Sequence, residues 1–125
     1  MDTPAINYDE PSDTLYISFA PGESATGIEL SEHILLRLNK ADRRAVGLTF
    51  FEYSLLAQPT EIGPRSFPLN GLDKLSNELR ALVLEVITRP PVNNFLHVSL
   101  YTPSVIESIP ITSVMPLAPA PAYRS

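Results

Sequence analysis

The sequence contains no cysteine, only two histidines and only five glycines among its 125 residues. The absence of cysteine excludes disulfides, thiolate zinc sites and a catalytic thiol, and it makes a reducing cytoplasm the default location. Two histidines without a nucleophile-elbow sequence do not support a Ser-His-Asp set, and the scattered glycines form no phosphate-binding loop. The sequence therefore shows no catalytic machinery, and we expect a protein that is not an enzyme.

Long apolar runs and a basic N-terminus are also missing. No apolar run approaches the roughly 20 residues needed to span a bilayer, and the start Met1-Asp2-Thr3-Pro4 lacks the basic and apolar regions of a signal peptide. We therefore expect a soluble, cytoplasmic protein with no membrane partner.

The net charge of −5 is unevenly distributed along the chain. Residues 1–38 hold seven acids and one base, whereas the remainder holds seven acids and eight bases. An acidic surface repels phosphates and attracts cations or basic proteins. Nucleic-acid binding is therefore disfavoured, and a basic protein partner is a candidate.

Apolar and polar residues alternate over five short segments in the first part of the chain, which predicts β-strands joined by polar turns. The adjacent pair Phe50-Phe51, followed by Tyr53, breaks the alternation. That break suggests a bulge or a strand covered on both faces, and burial on both faces would indicate an oligomer. The predicted strands cover residues 6–8, 14–19, 26–30, 34–38 and 46–50.

One helix is predicted in the second part of the chain. Apolar residues recur at spacings of three, four and one from about Leu72 to Thr88, as in a helix with one buried stripe. Asn70 is the predicted N-cap, and Pro90-Pro91 ends the helix. Three further apolar residues lie off the stripe and suggest a second partner surface: Ala81, Leu84 and Ile87.

The abundance of proline, 13 residues in all, shapes the remaining predictions. Gln58 to Pro68 is predicted to be a connecting loop. Two strands are predicted at 95–101 and 106–114 around the turn Thr102-Pro103-Ser104, and Pro110 places the second at a sheet edge. The whole prediction is one α+β domain over residues 1–115, with an antiparallel β-meander over 5–57, a helix over 72–88, strands over 94–114 and a proline-rich surface tail over 116–125.

The opening hairpin carries a recognisable pattern: Tyr8-Asp9, Asp13, then Leu15-Tyr16-Ile17. Together with Val46-Gly47-Leu48, it resembles the bacterial family known as domain of unknown function 2283, over about residues 5–57. The turn Ala41-Asp42-Arg43-Arg44 departs from that family, which often has an Asp-Gly hairpin there. No activity is established for the family, but its genes often lie beside those of small toxin-like proteins. The resemblance therefore implies an antitoxin only by association.

The acidic hairpin is the first candidate site. Asp9 and Asp13 could act as paired carboxylates or, with Glu10, bind Mg²⁺ or Ca²⁺. Turn capping is the favoured interpretation, because Asp at both ends of a turn satisfies backbone donors. Tyr8 and Tyr16 could stack on a ligand, although packing across adjacent strands is favoured.

The histidines and the basic residues are weaker candidates. His33 follows Glu32 and could approach the acidic hairpin, whereas His97 lies alone in an apolar strand, so structural or surface roles are favoured for both. The cluster of Lys40, Arg43 and Arg44 could contact phosphates, but solvated charges at a hairpin tip are favoured. The Pro116 to Pro119 spacing is interpreted as packing or a spacer.

The leading functional hypothesis is a cytoplasmic, non-enzymatic interaction module that forms a homo-oligomer, with a dimer favoured. Its interface would be a shared sheet edge or the helix face. One alternative is an antitoxin-like inhibitor whose acidic first third binds a small basic protein. Another is a metal-binding or small-ligand-binding protein using Asp9, Asp13 and perhaps His33. No catalytic, cofactor-binding or metal-ligating residue is assigned, and no cofactor is expected.

Overall fold

A five-stranded antiparallel sheet forms the first half of the protein, as the alternation predicts. The computed structural model describes residues 4–57, 59–60, 63–64, 66–104 and 107–114. Leu15, Ile17 and Phe50 are buried on the inner face of the sheet, which faces the core. The strands are β1 (Ala5–Asp9), β2 (Thr14–Ser18), β3 (Thr26–Ser31), β4 (Ile34–Asn39) and β5 (Arg44–Phe51).

The strand order in this sheet is β1-β2-β5-β4-β3, which differs from a simple meander. After β2 the chain crosses to the far edge, and β5 returns to lie between β2 and β4. A register shift against β4 places a bulge at Val46, whereas Phe50 is buried and Phe51 is exposed in ordinary alternation. The bulge is therefore present in β5, but not at the Phe50-Phe51 pair.

The stretch predicted as a loop over residues 58–68 contains strands too short to show a periodicity. The helix α1 (Tyr53–Ala57) precedes it, and β6 (Pro59–Thr60) then pairs with β7 (Gly63–Pro64). The next strand, β8 (Ser66–Pro68), joins a second sheet, and Phe67 packs against the core. The loop prediction was wrong in this respect, and α1 was not predicted at all.

The main helix begins later than its periodicity indicates. A 3₁₀ helix spans Asn70–Lys74, and α2 spans Asn77–Ile87. Leu75 between them is extended, and the Ser76 side chain caps α2 by accepting a hydrogen bond from the Leu79 N–H. The prediction of Asn70 as the N-cap was wrong because the 3₁₀ helix packs tightly on β3 and is separated from α2 by this extended residue.

Most of the apolar surface of α2 is used inside the protein. Ile87 is fully buried and Leu84 packs partly against the core, while Ala81 is exposed. Ile87 therefore belongs to the core rather than to the second partner surface that its position suggested. The buried residues of α2 join one hydrophobic cluster with the inner face of the first sheet.

A second sheet follows a short 3₁₀ helix (Val92–Asn94). It contains β9 (Leu96–Ser104) and β10 (Glu107–Val114) in the order β8-β10-β9, so the prediction that β10 lies at an edge was wrong. Because β8 pairs only with Ile111–Ser113, Pro110 has only β9 beside it, which is compatible with its missing N–H. The predicted turn residues 102–104 belong to β9, and the tail 116–125 lies outside the described residues. No helix in the described part of the chain is long and apolar enough to cross a membrane.

Candidate functional site

One end of the first sheet is acidic. The β1–β2 turn, the β3–β4 turn and the C-terminal end of β5 all lie there because of the strand order. Residues 9–14, 31–34 and 51–57 contribute five carboxyl groups and no lysine or arginine. These carboxyl groups belong to Asp9, Glu10, Asp13, Glu32 and Glu52.

Asp13 is the most highly connected of these residues. Its carboxylate accepts hydrogen bonds from the Tyr8 hydroxyl (2.5 Å), the Ser54 hydroxyl (2.7 Å) and the Ser54 N–H (3.1 Å). Its carbonyl oxygen accepts from the Tyr53 N–H (2.9 Å). The first turn of α1 is therefore capped by a residue 41 positions away in the sequence.

These hydrogen bonds change the ionisation of both partners. Burial acts to raise the pKa of Asp13, but the hydrogen bonds from Tyr8 and Ser54 outweigh it and leave the pKa lowered. The hydrogen bond to Asp13 raises the pKa of Tyr8. Both shifts favour an ionised Asp13 carboxylate that accepts the hydrogen bond and a neutral Tyr8 phenol that donates it.

Asp9 has the turn-capping role that the sequence favours. Its carboxylate accepts a hydrogen bond from the Ser12 N–H (3.3 Å) and a short one from the Ser12 hydroxyl. Asp13 differs, because it caps α1 instead of its own turn. The two carboxylates therefore have separate partners, although they flank the same hairpin.

The expected pairing of Tyr8 with Tyr16 was wrong because the two residues lie on opposite faces of the sheet. Tyr8 is opposite Leu15 in the register, and Tyr16 is opposite Asn7. The Tyr8 ring packs edge-on against Tyr53 on the inner side, with 6.2 Å between ring centroids. Tyr16 is 45% exposed on the outer face.

His33 meets a carboxylate at the acidic end, but not one in the hairpin. Its Nε2 lies 2.8 Å from Glu52 Oε1, and its Nδ1 lies 3.9 Å from Glu32 Oε1. The His33 ring also lies beside Phe67, next to a small pocket of about 100 Å³. Among the described residues, no group of three or more histidine and acidic side chains is arranged to hold a metal ion. His97 is exposed in β9.

The basic cluster at the opposite end of the sheet is largely neutralised. Arg44 lies 2.7 Å from Glu23, and Arg43 lies 2.7 Å from Glu85 on α2. These contacts lower the pKa of Glu23 and of Glu85. Glu23 is one of the seven acidic residues in the segment 1–38. Folding therefore pairs an acid of the first third of the chain with a base from later in the sequence.

The two edges of the first sheet differ in how they are protected. β3 is bulged between Glu29 and Ser31, and the 3₁₀ helix packs on it so closely that a Cβ at Gly71 would overlap the Glu29 carbonyl oxygen. β1 has a regular register with β2, and four of its five residues are exposed. Ile6, in the middle of β1, is 45% exposed.

The outer face of the first sheet contains a depression of about 400 Å³ that crosses from β1 to β4. Tyr16, Thr49 and Arg37 are among the residues that line it. Of these three, the sequence singled out only Tyr16 as a candidate. Arg37 and Thr49 occupy the polar positions of alternating strands, and no local pattern marks them as functional.

The comparisons with known proteins match one segment in the first part of the chain. No curated protein and no solved structure matches the chain. The matching segment includes the Tyr8–Asp13–Ser54 hydrogen bonds, the first sheet and the start of α1. The resemblance expected from the opening hairpin is confirmed: residues 5–54 match the family described as "Protein of unknown function (DUF2283)".

Proposed function

We propose that this protein is a non-enzymatic cytoplasmic interaction module that self-associates through the edge of β1, with which no other described strand pairs. The observation that carries the proposal is the contrast between the covered, bulged edge at β3 and the regular, exposed edge at β1. An unprotected edge strand presents a row of backbone donors and acceptors that another strand can pair with. The Asp13 carboxylate is occupied by structural hydrogen bonds, which supports a role other than catalysis.

A second copy of β1 fits this edge. If two β1 strands pair antiparallel about a two-fold axis at Asn7, Ile6 lies opposite Tyr8 of the other copy and Ala5 lies opposite Asp9. No like charges then face each other, and the exposed Ile6 side chain gains an apolar neighbour. The result is a continuous ten-stranded sheet made from two copies.

The dimer is expected to be of moderate affinity. Pairing of one five-residue strand buries less area than a standard stable interface, so we expect a dissociation constant on the order of micromolar. Size exclusion coupled to light scattering should show a mass that rises with concentration from 13.8 kDa towards twice that value.

Two variants with the same change of charge test the location of the interface. Ile6→Lys places a charge at the proposed interface and should leave a monomer. Leu55→Lys is the matched control, since Leu55 is a similarly exposed apolar residue (40%) on α1 rather than on β1, and this variant should still dimerise. A monomeric wild-type protein at about 100 µM, or equal effects of the two variants, would refute the proposal.

The acidic end of the sheet favours a second candidate function, an antitoxin-like inhibitor of a small basic protein. Its support is the group of five carboxyl groups without a lysine or arginine in the same segments. Affinity capture from the source cell should recover a small basic protein, and Glu10→Lys should abolish the capture. Asp42→Lys, at the opposite end of the sheet, should not. Capture that is absent, or equally affected by both variants, would exclude this function.

A further inference from the structure

The depression on the outer face adjoins Gly47, a glycine on the central strand of the sheet. Gly47 lies in register between Ser18 on β2 and Arg37 on β4, which both line the depression, and Arg37 Cδ lies 3.8 Å from the position that a Gly47 Cβ would occupy. A Cβ there would come within 2.7 Å of the Ile17 carbonyl oxygen, which explains why the position is restricted to glycine. Tyr16 and Thr49, which are directly opposite each other, form the adjoining side of the depression.

The Thr49 hydroxyl is buried beside the depression and has no hydrogen-bond partner in the described part of the chain. Thr49 is only 6% exposed, and its side chain makes no hydrogen bond with any described residue. Buried hydroxyl groups in proteins nearly always have a hydrogen-bond partner, so the Thr49 hydroxyl beside the depression is available to one that enters from solvent. The Thr49 hydroxyl can therefore donate a hydrogen bond to a ligand or accept one from it.

Arg37 offers a positive charge beside it. Among the described residues, its side chain makes one hydrogen bond, from Nη2 to the carbonyl oxygen of Glu23 at 3.3 Å, and no carboxylate lies within ion-pair distance of its guanidinium. This contrasts with Arg43 and Arg44, which both contact carboxylates. Because Arg37 is opposite Gly47, it is the diagonal neighbour of Thr49 on the same face of the sheet, and both residues line the depression.

We propose that the depression binds a small organic carboxylate with a flat apolar body. The Arg37 guanidinium and the Thr49 hydroxyl donate hydrogen bonds to the carboxylate, and the ring of the ligand packs against Tyr16. All three groups belong to one chain, so the site does not depend on the proposed dimer. The charge of Arg37 determines the preference for an anion over a neutral molecule of the same shape.

Titration of ¹⁵N-labelled protein with benzoate, phenylacetate and indole-3-carboxylate tests this site. At least one of the three should shift the amide signals of Tyr16, Arg37 and Thr49, with an affinity in the millimolar range expected for ligands of this size. Benzamide, the neutral counterpart of benzoate, should bind at least roughly tenfold more weakly than benzoate. No shift with any of the three carboxylates, or equal binding of benzamide and benzoate, would overturn the proposal.

Two arginine variants separate the site from general charge effects. Arg37→Gln should weaken binding of the carboxylate by about tenfold or more. Arg80→Gln is the matched control and should bind as the wild type does, because Arg80 also makes a single hydrogen bond to a backbone carbonyl, that of Leu72, but lies on α2. If Arg37→Gln does not fold, the comparison of benzoate with benzamide on the wild-type protein decides the question. Equal loss of binding in both variants would overturn the proposal.

Discussion

Replacement of Asp13 by alanine should lower the free energy of unfolding by about 3 kcal/mol. The loss of the cap on α1 contributes about 0.5–2 kcal/mol. The hydrogen bonds from the hydroxyl groups of Tyr8 and Ser54 contribute about 1 kcal/mol each at most, because water can replace them in part. Asp13 also has a positive φ of 54°, which alanine adopts at a cost of about 1 kcal/mol.

Urea denaturation of three variants at Asp13 separates these contributions. Asp13→Asn tolerates the positive φ and keeps one acceptor oxygen, so it should cost about 1 kcal/mol. Asp13→Gly removes the hydrogen bonds, but glycine adopts a positive φ without strain. The loss of free energy of unfolding in Asp13→Gly should therefore lie between the losses in Asp13→Ala and Asp13→Asn. Asp9→Ala is the control, because the Asp9 carboxylate accepts hydrogen bonds from Ser12 alone among the described residues, in an exposed turn, and it should cost less than about 1 kcal/mol.

The result that would refute this reasoning is a small effect at Asp13. If Asp13→Ala costs less than about 1 kcal/mol, or no more than Asp9→Ala, the hydrogen bonds to Tyr8 and Ser54 do not stabilise the fold. If Asp13→Gly is as stable as the wild type, the effect in Asp13→Ala comes from the backbone conformation alone. Either outcome would remove the structural explanation of the Tyr8–Asp13 pattern.

The remaining predictions concern pH and local packing. Folding lowers the pKa of Asp13, so the contribution of this carboxylate to stability is present above about pH 4 and is lost as the pH falls through the lowered pKa. The wild type should therefore lose more stability than Asp13→Asn between about pH 5 and 2. Parallel curves for the two proteins would contradict this. Ser76→Ala should cost about 1 kcal/mol in urea denaturation through loss of the α2 cap, and Asn70→Ala should cost less; the reverse order would contradict the observed cap. Gly71→Ala should cost more than about 2 kcal/mol because its Cβ would overlap the Glu29 carbonyl oxygen, and an unchanged melting temperature would contradict that packing.

The strands of the first sheet could be predicted from the sequence because alternation is a local property. Leu15, Ile17 and Phe50 face the core for this reason. The order of the strands could not be predicted, since the position of β5 between β2 and β4 depends on pairing between distant segments. The same limit applies to α1, whose cap is supplied by Asp13 across the sheet.

Local signals also gave a wrong helix start where two of them competed. Asn70 and Ser76 are both residues that favour N-cap positions, and the leucines at 72 and 75 fit a helical spacing. A spacing of three also fits a 3₁₀ helix, and packing of Gly71 on β3 selects that conformation. The proposed ligand site was missed because an unpaired arginine and a buried threonine are recognisable only when their neighbours are known.

The most direct test of the central claim, self-association through β1, is a search for contacts between copies by NMR. A sample that mixes ¹³C,¹⁵N-labelled with unlabelled protein should give intermolecular NOEs between the β1 strands, with Ile6 near Tyr8 of the other copy and Asn7 at the centre of symmetry. The same experiment on Ile6→Lys should give none. Intermolecular NOEs confined to other surfaces, or a complete absence of them in wild-type protein at about 0.5 mM, would contradict the proposed interface.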